Sequence, residues 1–244
     1  MSETTGDTTA SWLRHLWSDV LPGEYAPEIW QGTLDTLTMT GFSLLFTVLI
    51  GLPLGVVLFL TGWSHRSQRS SVARIQWVVY SLLSFLVNVL RSVPFLILLI
   101  LLIPATRAIV GTSLGVQGSI PPLVIAASPF FARLVENLLR EVDRGVFEAC
   151  RSMGATTRHI VLWALLPETF PGILAAIVVT AVALVGYSAM SGVIGGGGLG
   201  DLAVRYGYQR FNTAVMLVTV AILVVLVQVI QVLGDRLVSR FSYR

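Results

Sequence analysis

IQWVVYSLLSFLVNVLRSVPFLILLILLI, residues 75–103, carries a single charge, Arg91. How this stretch is cut decides the fold. About 20 apolar residues cross roughly 30 Å of hydrocarbon at about 1.5 Å per residue. Cut at Arg91-Ser92-Val93-Pro94, it leaves Ile75–Leu90 and Phe95–Ile103, each too short to span alone. One long helix, tilted or kinked where Pro94 lacks an N–H, is the expectation.

Working outward, four more stretches have spanning length: Thr36–Ser64, flanked by Trp30 and Trp63 as an interfacial aromatic belt predicts, then Val116–Leu139, Pro171–Ile194 and Phe211–Gly234. The expected class is an all-α polytopic membrane protein with five transmembrane helices. Composition agrees. The 244 residues are 55% hydrophobic and 12% charged, with a mean hydropathy of +0.80. Soluble domains carry about a quarter charged residues.

Arginine placement tests the span count. With the C-terminus in the cytoplasm, five spans put eleven arginines inside: 66, 69, 74, 133, 140, 144, 151, 158, 236, 240 and 244. Arg14, Arg107, Arg205 and Arg210 fall outside, and Arg91 within a span. That bias obeys the positive-inside rule, and a sixth span would spoil it. The N-terminus is then outside. Residues 1–11 lack a basic start and apolar run, so no signal peptide is expected. Residues 1–29 form an extracytoplasmic segment, either a loose tail or a short interfacial helix on Trp12, Leu13, Leu16 and Trp17. Residues 30–244 form one membrane domain.

Several chemistries are excluded. All sixteen basic residues are arginine, so neither a phosphate-loop ATPase nor a Schiff base is available. The single cysteine, Cys150, permits no intrachain disulfide and no cysteine-based metal site. The net charge of +3 reflects topology, not nucleic-acid binding. His15, His65 and His159 lie outside the spans, which disfavours an intramembrane protease at Gly186-Tyr187-Ser188-Ala189-Met190. Gly195–Gly200 has no βαβ context for a dinucleotide loop and reads as a packed or mobile outer turn. The span cores are read as free of acidic residues, with Asp35 at an edge, which disfavours an ion-coupled transporter.

Between spans three and four lies REVDRGVFEACRSMGATTRHIVLWALLPE, residues 140–168, on the arginine-rich side. It reads as two short helices. Val146, Ala149, Cys150 and Met153 give an apolar stripe, and Arg144, Glu148 and Arg151 a charged one. Gly154 fits a left-handed cap, Thr156 or Thr157 caps the next helix, and Pro167 is expected to stop it. Such a cytoplasmic hairpin makes a knob for a partner's groove.

Glu148-Ala149-Cys150, then Gly154, then Leu166-Pro167 resembles the EAA loop of permeases in ATP-binding-cassette (ABC) importers, with full spacing. Cys150 stands at the second alanine of that motif and Ala164 at its isoleucine. Residues 91–115, 128–139 and 184–212 further resemble methionine-uptake permeases, and together with the terminal Gly234-Asp235-Arg236 the likeness covers about residues 30–244. It implies a type I-like importer fold in the bacterial inner membrane. It also implies a non-catalytic homodimeric permease, two copies of a separate ATPase that binds ATP and Mg, and an extracytoplasmic methionine-binding protein. No cofactor is implied for this chain. A permease for another amino acid or an osmolyte is the alternative. Glu148, Ala149, Cys150, Gly154, Leu166 and Pro167 would couple to the ATPase. Tyr187 and Met190 share a helix face and, with Ser188, are candidate lining of the translocation path; packing alone would explain them as well. Arg91 is read as anchoring a helix bend beside Pro94, with a substrate carboxylate as the sharper alternative.

Overall fold

The computed structural model describes residues 25–67 and 71–241. The suggested helix at residues 12–17 lies outside the described residues. Five helices are long and apolar enough to cross a membrane. α1 covers Ala26–Ser67 and α2 covers Ser71–Ser92. Two short helices follow, α3 at Phe95–Leu101 and α4 at Ile103–Val110. α5 spans Gly115–Glu141, α6 spans Arg144–Ser152 and α7 spans Thr157–Ile160. A wide π turn, Val161–Leu165, joins α7 to α8 at Leu166–Ser191. After the glycine run come α9 at Gly198–Leu202, a second π turn at Ala203–Tyr208, and α10 at Thr213–Phe241.

The span count is five, as expected, but residues 75–103 are not one helix. The chain breaks at Val93-Pro94, where Pro94 takes φ −56° and ψ 133°. Proline cannot donate to the preceding turn, and it drives the residue before it out of the helical region. Only α2 has spanning length; α3 and α4 are short and need not cross.

Pro167 also behaves differently from expectation. It starts α8 instead of stopping a helix, and helical backbone runs unbroken from Thr157 to Ile194. The π turn explains how. Leu166 N–H donates to the Val161 carbonyl five residues back, which widens the turn and makes room for the proline ring. The fourth span therefore begins well before Pro171 and is continuous with the second limb of the hairpin.

α5 is the central helix. Against it α1 lays a stripe of small residues at four-residue spacing: Ser43, Thr47, Gly51 and Gly55. A side chain at Gly55 would meet the Ala132 carbonyl at 2.6 Å, so the two backbones touch there. This is the small-residue packing by which helices associate in lipid. Large apolar side chains such as Phe42, Phe85, Leu82 and Val225 instead point outward and are more than half exposed. In a water-soluble protein that surface would be anomalous; facing lipid or a second copy it is favourable.

The acid-free reading of the span cores fails at Glu136. This residue sits in α5, 1% exposed, with its two carboxylate oxygens each 2.6 Å from an arginine, Arg133 and Arg140. Arg133, expected in a loop, is inside the bundle and also donates to Ser84 Oγ and Asn88 Oδ1, both at 2.9 Å. Arg140 donates to Tyr80 Oη at 3.1 Å. A lone buried carboxylate would be very costly; two guanidiniums and a phenol make it tolerable.

Candidate functional site

The hairpin forms as its residues suggest, and its caps can be followed atom by atom. Asp143 caps α6 by accepting from Gly145 N–H. At the other end Gly154 has φ +81°. Its N–H donates to the Arg151 carbonyl, and Ala155 N–H to the Cys150 carbonyl. This bond pair is the Schellman motif, which requires a left-handed residue where Gly154 stands. Cys150 and Ala155 both pack on the same apolar cluster. The EAA-like position of Cys150 therefore has a local reason: a small apolar residue is needed under the cap. Thr156 caps α7, its Oγ1 accepting from His159 N–H and lying 2.6 Å from His159 Nδ1.

Phe147 ties this knob to the bundle, and periodicity did not single it out. It is 6% exposed and packs with Ile160, Val161 and Leu165 against Phe59, Phe131, Val135 and Leu139. The hairpin is thus part of the core under α1 and α5. The predicted stripe points the other way. Val146, Ala149 and Met153 are exposed, as are Leu162 and Trp163 in the π turn that follows α7, while Cys150 is half-buried. Glu148 and Arg151 stand exposed on the same knob. Leu166 is half-buried and Pro167 exposed at the root of α8. An outward apolar patch with charges around it fits a protein groove.

A second site lies beside the break between α2 and α3. A cavity of about 630 Å³ is lined by Arg91, Pro94, Phe95, Phe130, Tyr187 and Met190, among others. Phe95 and Tyr187 stack with centroids 4.7 Å apart. Tyr187 and Met190 are therefore brought together as their spacing predicted. Ser188 is not; it is buried and donates to the Val185 carbonyl at 2.8 Å.

The end of the bundle opposite the hairpin is closed by the glycine run, which is tightly packed. Gly115 N–H donates to the Gly195 carbonyl and Leu199 N–H to Thr36 Oγ1, both at 2.9 Å. Gly195, Gly197 and Gly198 all take positive φ. Further along the chain from this turn, outside the spans, Tyr206 meets Tyr25 edge-on at 5.3 Å. Its phenol is held above its ordinary pKa, first by the Glu28 carboxylate it bonds and then by burial.

Residues 70–243 match the family described as binding-protein-dependent transport system inner membrane component. A Pasteurella multocida relative named probable D-methionine transport system permease protein MetI is 45% identical over 222 residues, covering 89% of this chain and 99% of its own. The Bacillus subtilis methionine import system permease protein MetP is 44% identical, covering 89% and 95%. A solved structure of an inward-facing MetNI methionine ABC transporter superposes with a TM-score of 0.81 at 46% identity, covering 88% of this chain and 96% of that one. With a capped hairpin between its third and fourth spans and a family match over most of its length, the chain belongs to the inner membrane components of binding-protein-dependent transport systems.

Proposed function

We propose that this chain is the permease of an ATP-driven methionine importer, working as a homodimer with two ATPase subunits and an extracytoplasmic binding protein. The observation that carries the reading is mechanical. One knob, α6 with α7, presents an apolar patch outward and is anchored by Phe147 to the core, while its second limb continues as helix to the cavity wall at Tyr187 and Met190. A push on the knob is therefore delivered to the cavity through continuous helix. ATP and Mg belong to the partner. ATPase closure would draw paired knobs together and open the path outward, and hydrolysis would reset it. The N-terminus lies outside and the hairpin in the cytoplasm, as the arginine bias requires. Residues 1–29 are the extracytoplasmic segment and 30–244 the permease domain. Glu148, Ala149, Cys150, Gly154, Leu166 and Pro167 form the ATPase-coupling surface or shape it.

Methionine as cargo rests on the named relatives and on the sulfur-compatible wall of Tyr187 and Met190. The ion-coupled alternative had its best candidate in Glu136, but both of its oxygens are taken by guanidiniums, which leaves no vacancy for a cation. Proteoliposomes test the reading. With ATPase, binding protein and internal ATP, they should accumulate methionine; omission of any one should abolish accumulation. Uphill uptake by this chain alone would refute the proposal.

A further inference from the structure

The break between α2 and α3 lies near the middle of the membrane domain, and the chain carries its charge there. Phe130 lies 15 residues from Gly115 and 11 from Glu141, so about 22 Å and about 16 Å from the two ends of α5 at about 1.5 Å per residue. Arg91 sits over the Phe130 ring, 5.9 Å from its centroid, and so shares that depth. Among the described residues no carboxylate pairs with it. An arginine at that depth without a carboxylate partner needs polar company such as water, carbonyls or a ligand, and non-helical backbone there is either buried in protein or lines a water-filled cavity.

The face of α2 that bears Arg91 is polar. Tyr80, Ser84, Asn88 and Arg91 recur at helical spacing along it. The first three meet Arg140 and Arg133 of α5. This ladder leads from the hairpin end of the bundle to the cavity. At its top, the last carbonyls of α2 face Pro94, which has no N–H to offer them. The hydrogen bonds of the break run instead from Ile97 and Leu98 N–H to the Pro94 carbonyl. One helix end thus presents a guanidinium beside carbonyls that have no intrahelical donor, next to an aromatic and thioether wall.

We infer that this cavity is a binding site for a free α-amino acid with a linear apolar side chain. The carboxylate lies on Arg91, the ammonium on the terminal carbonyls of α2, and the side chain against Phe95, Phe130, Tyr187 and Met190. The inference rests on the importer reading and adds a cargo site within the permease itself. A volume of about 630 Å³ admits such a molecule with water. The pairing is chemically specific, because a guanidinium binds a carboxylate by parallel charge-assisted bonds.

Equilibrium binding of radiolabelled L-methionine to the permease–ATPase complex in phosphatidylcholine nanodiscs, without binding protein, tests the site. L-methionine should bind, L-norleucine should compete, and 3-(methylthio)propylamine, which lacks the carboxylate, should not. Arg91→Gln should weaken binding about tenfold or more, as loss of a charged hydrogen-bond partner does. Arg91→Lys, which keeps the charge but not the parallel pair of bonds, should weaken binding less than Arg91→Gln does. Unchanged affinity in Arg91→Gln, equal competition by the amine, or no methionine binding to the wild-type complex would each overturn the inference. So would displacement of bound methionine by phosphatidylglycerol, which would make Arg91 a lipid anchor. If Arg91→Gln fails to assemble, the amine competition on wild type still decides. ATP-driven uptake by the wild-type system is read separately, so the importer reading can stand when this site fails.

Discussion

Glu136 and Gly154 show how single residues set this molecule. Glu136 holds two guanidiniums in the bundle, so Glu136→Gln leaves Arg133 and Arg140 without their counter-charge. Thermal unfolding in detergent should show a loss of about 3 kcal/mol, the lower end for a broken buried pair because Arg140 is one-third exposed. No loss would mean that water or lipid already satisfies the arginines. Gly154 makes a cleaner case. A side chain there would meet nothing within 4 Å, so any cost is the left-handed backbone alone. Gly154→Val should destabilise the hairpin by about 1–2 kcal/mol and reduce ATPase co-purification, while Gly154→Asn should keep it. Equal behaviour of the two would contradict the cap as cause. Gly154 was legible because helix-ending glycine has one backbone role at that spacing. Glu136 was not, although Arg133, Glu136 and Arg140 stand three and four residues apart. They fall at the edge of an apolar run, and an edge reads as loop. Phe147 was hidden for another reason: it sits at one edge of the apolar face of α6, and periodicity alone does not say which edge meets the bundle.

The elements are rigid where small residues let them touch and broken where proline forbids continuity. At the contact of α1 and α5, Gly55→Val would drive a side chain against the Ala132 carbonyl and Val135. Overpacking of that kind costs about 1–3 kcal/mol. The variant should insert into membranes normally but unfold at lower temperature; an unchanged midpoint would mean the contact is looser than its geometry. Phe147→Ala addresses a different joint. Loss of a buried phenylalanine costs about 3–5 kcal/mol, and here it falls on the joint between knob and bundle. ATP hydrolysis should persist while methionine uptake per ATP falls. Retained coupling would show that force travels elsewhere. Two joints were misjudged from sequence, both at proline. Length applied to the whole apolar run makes residues 75–103 one span, yet a short apolar helix can pack without crossing. Pro167 reads as a stop because a wide turn that accommodates it leaves no mark in composition.

For the whole molecule, the span count and the hairpin between spans three and four were legible, because hydrocarbon thickness acts on the chain as a whole. The cavity was legible only in part: Tyr187 and Met190 share a face, but their meeting with Arg91 depends on the break at Pro94. The account depends on the knob facing the cytoplasm and seating in an ATPase. A Met153→Cys variant in a Cys150→Ala background places a reporter on its exposed face. Labelling with a membrane-impermeant maleimide should occur in inside-out vesicles, fail in right-side-out vesicles, and be suppressed when the ATPase is bound. Labelling from the right-side-out face, or labelling unchanged by the ATPase, would contradict it.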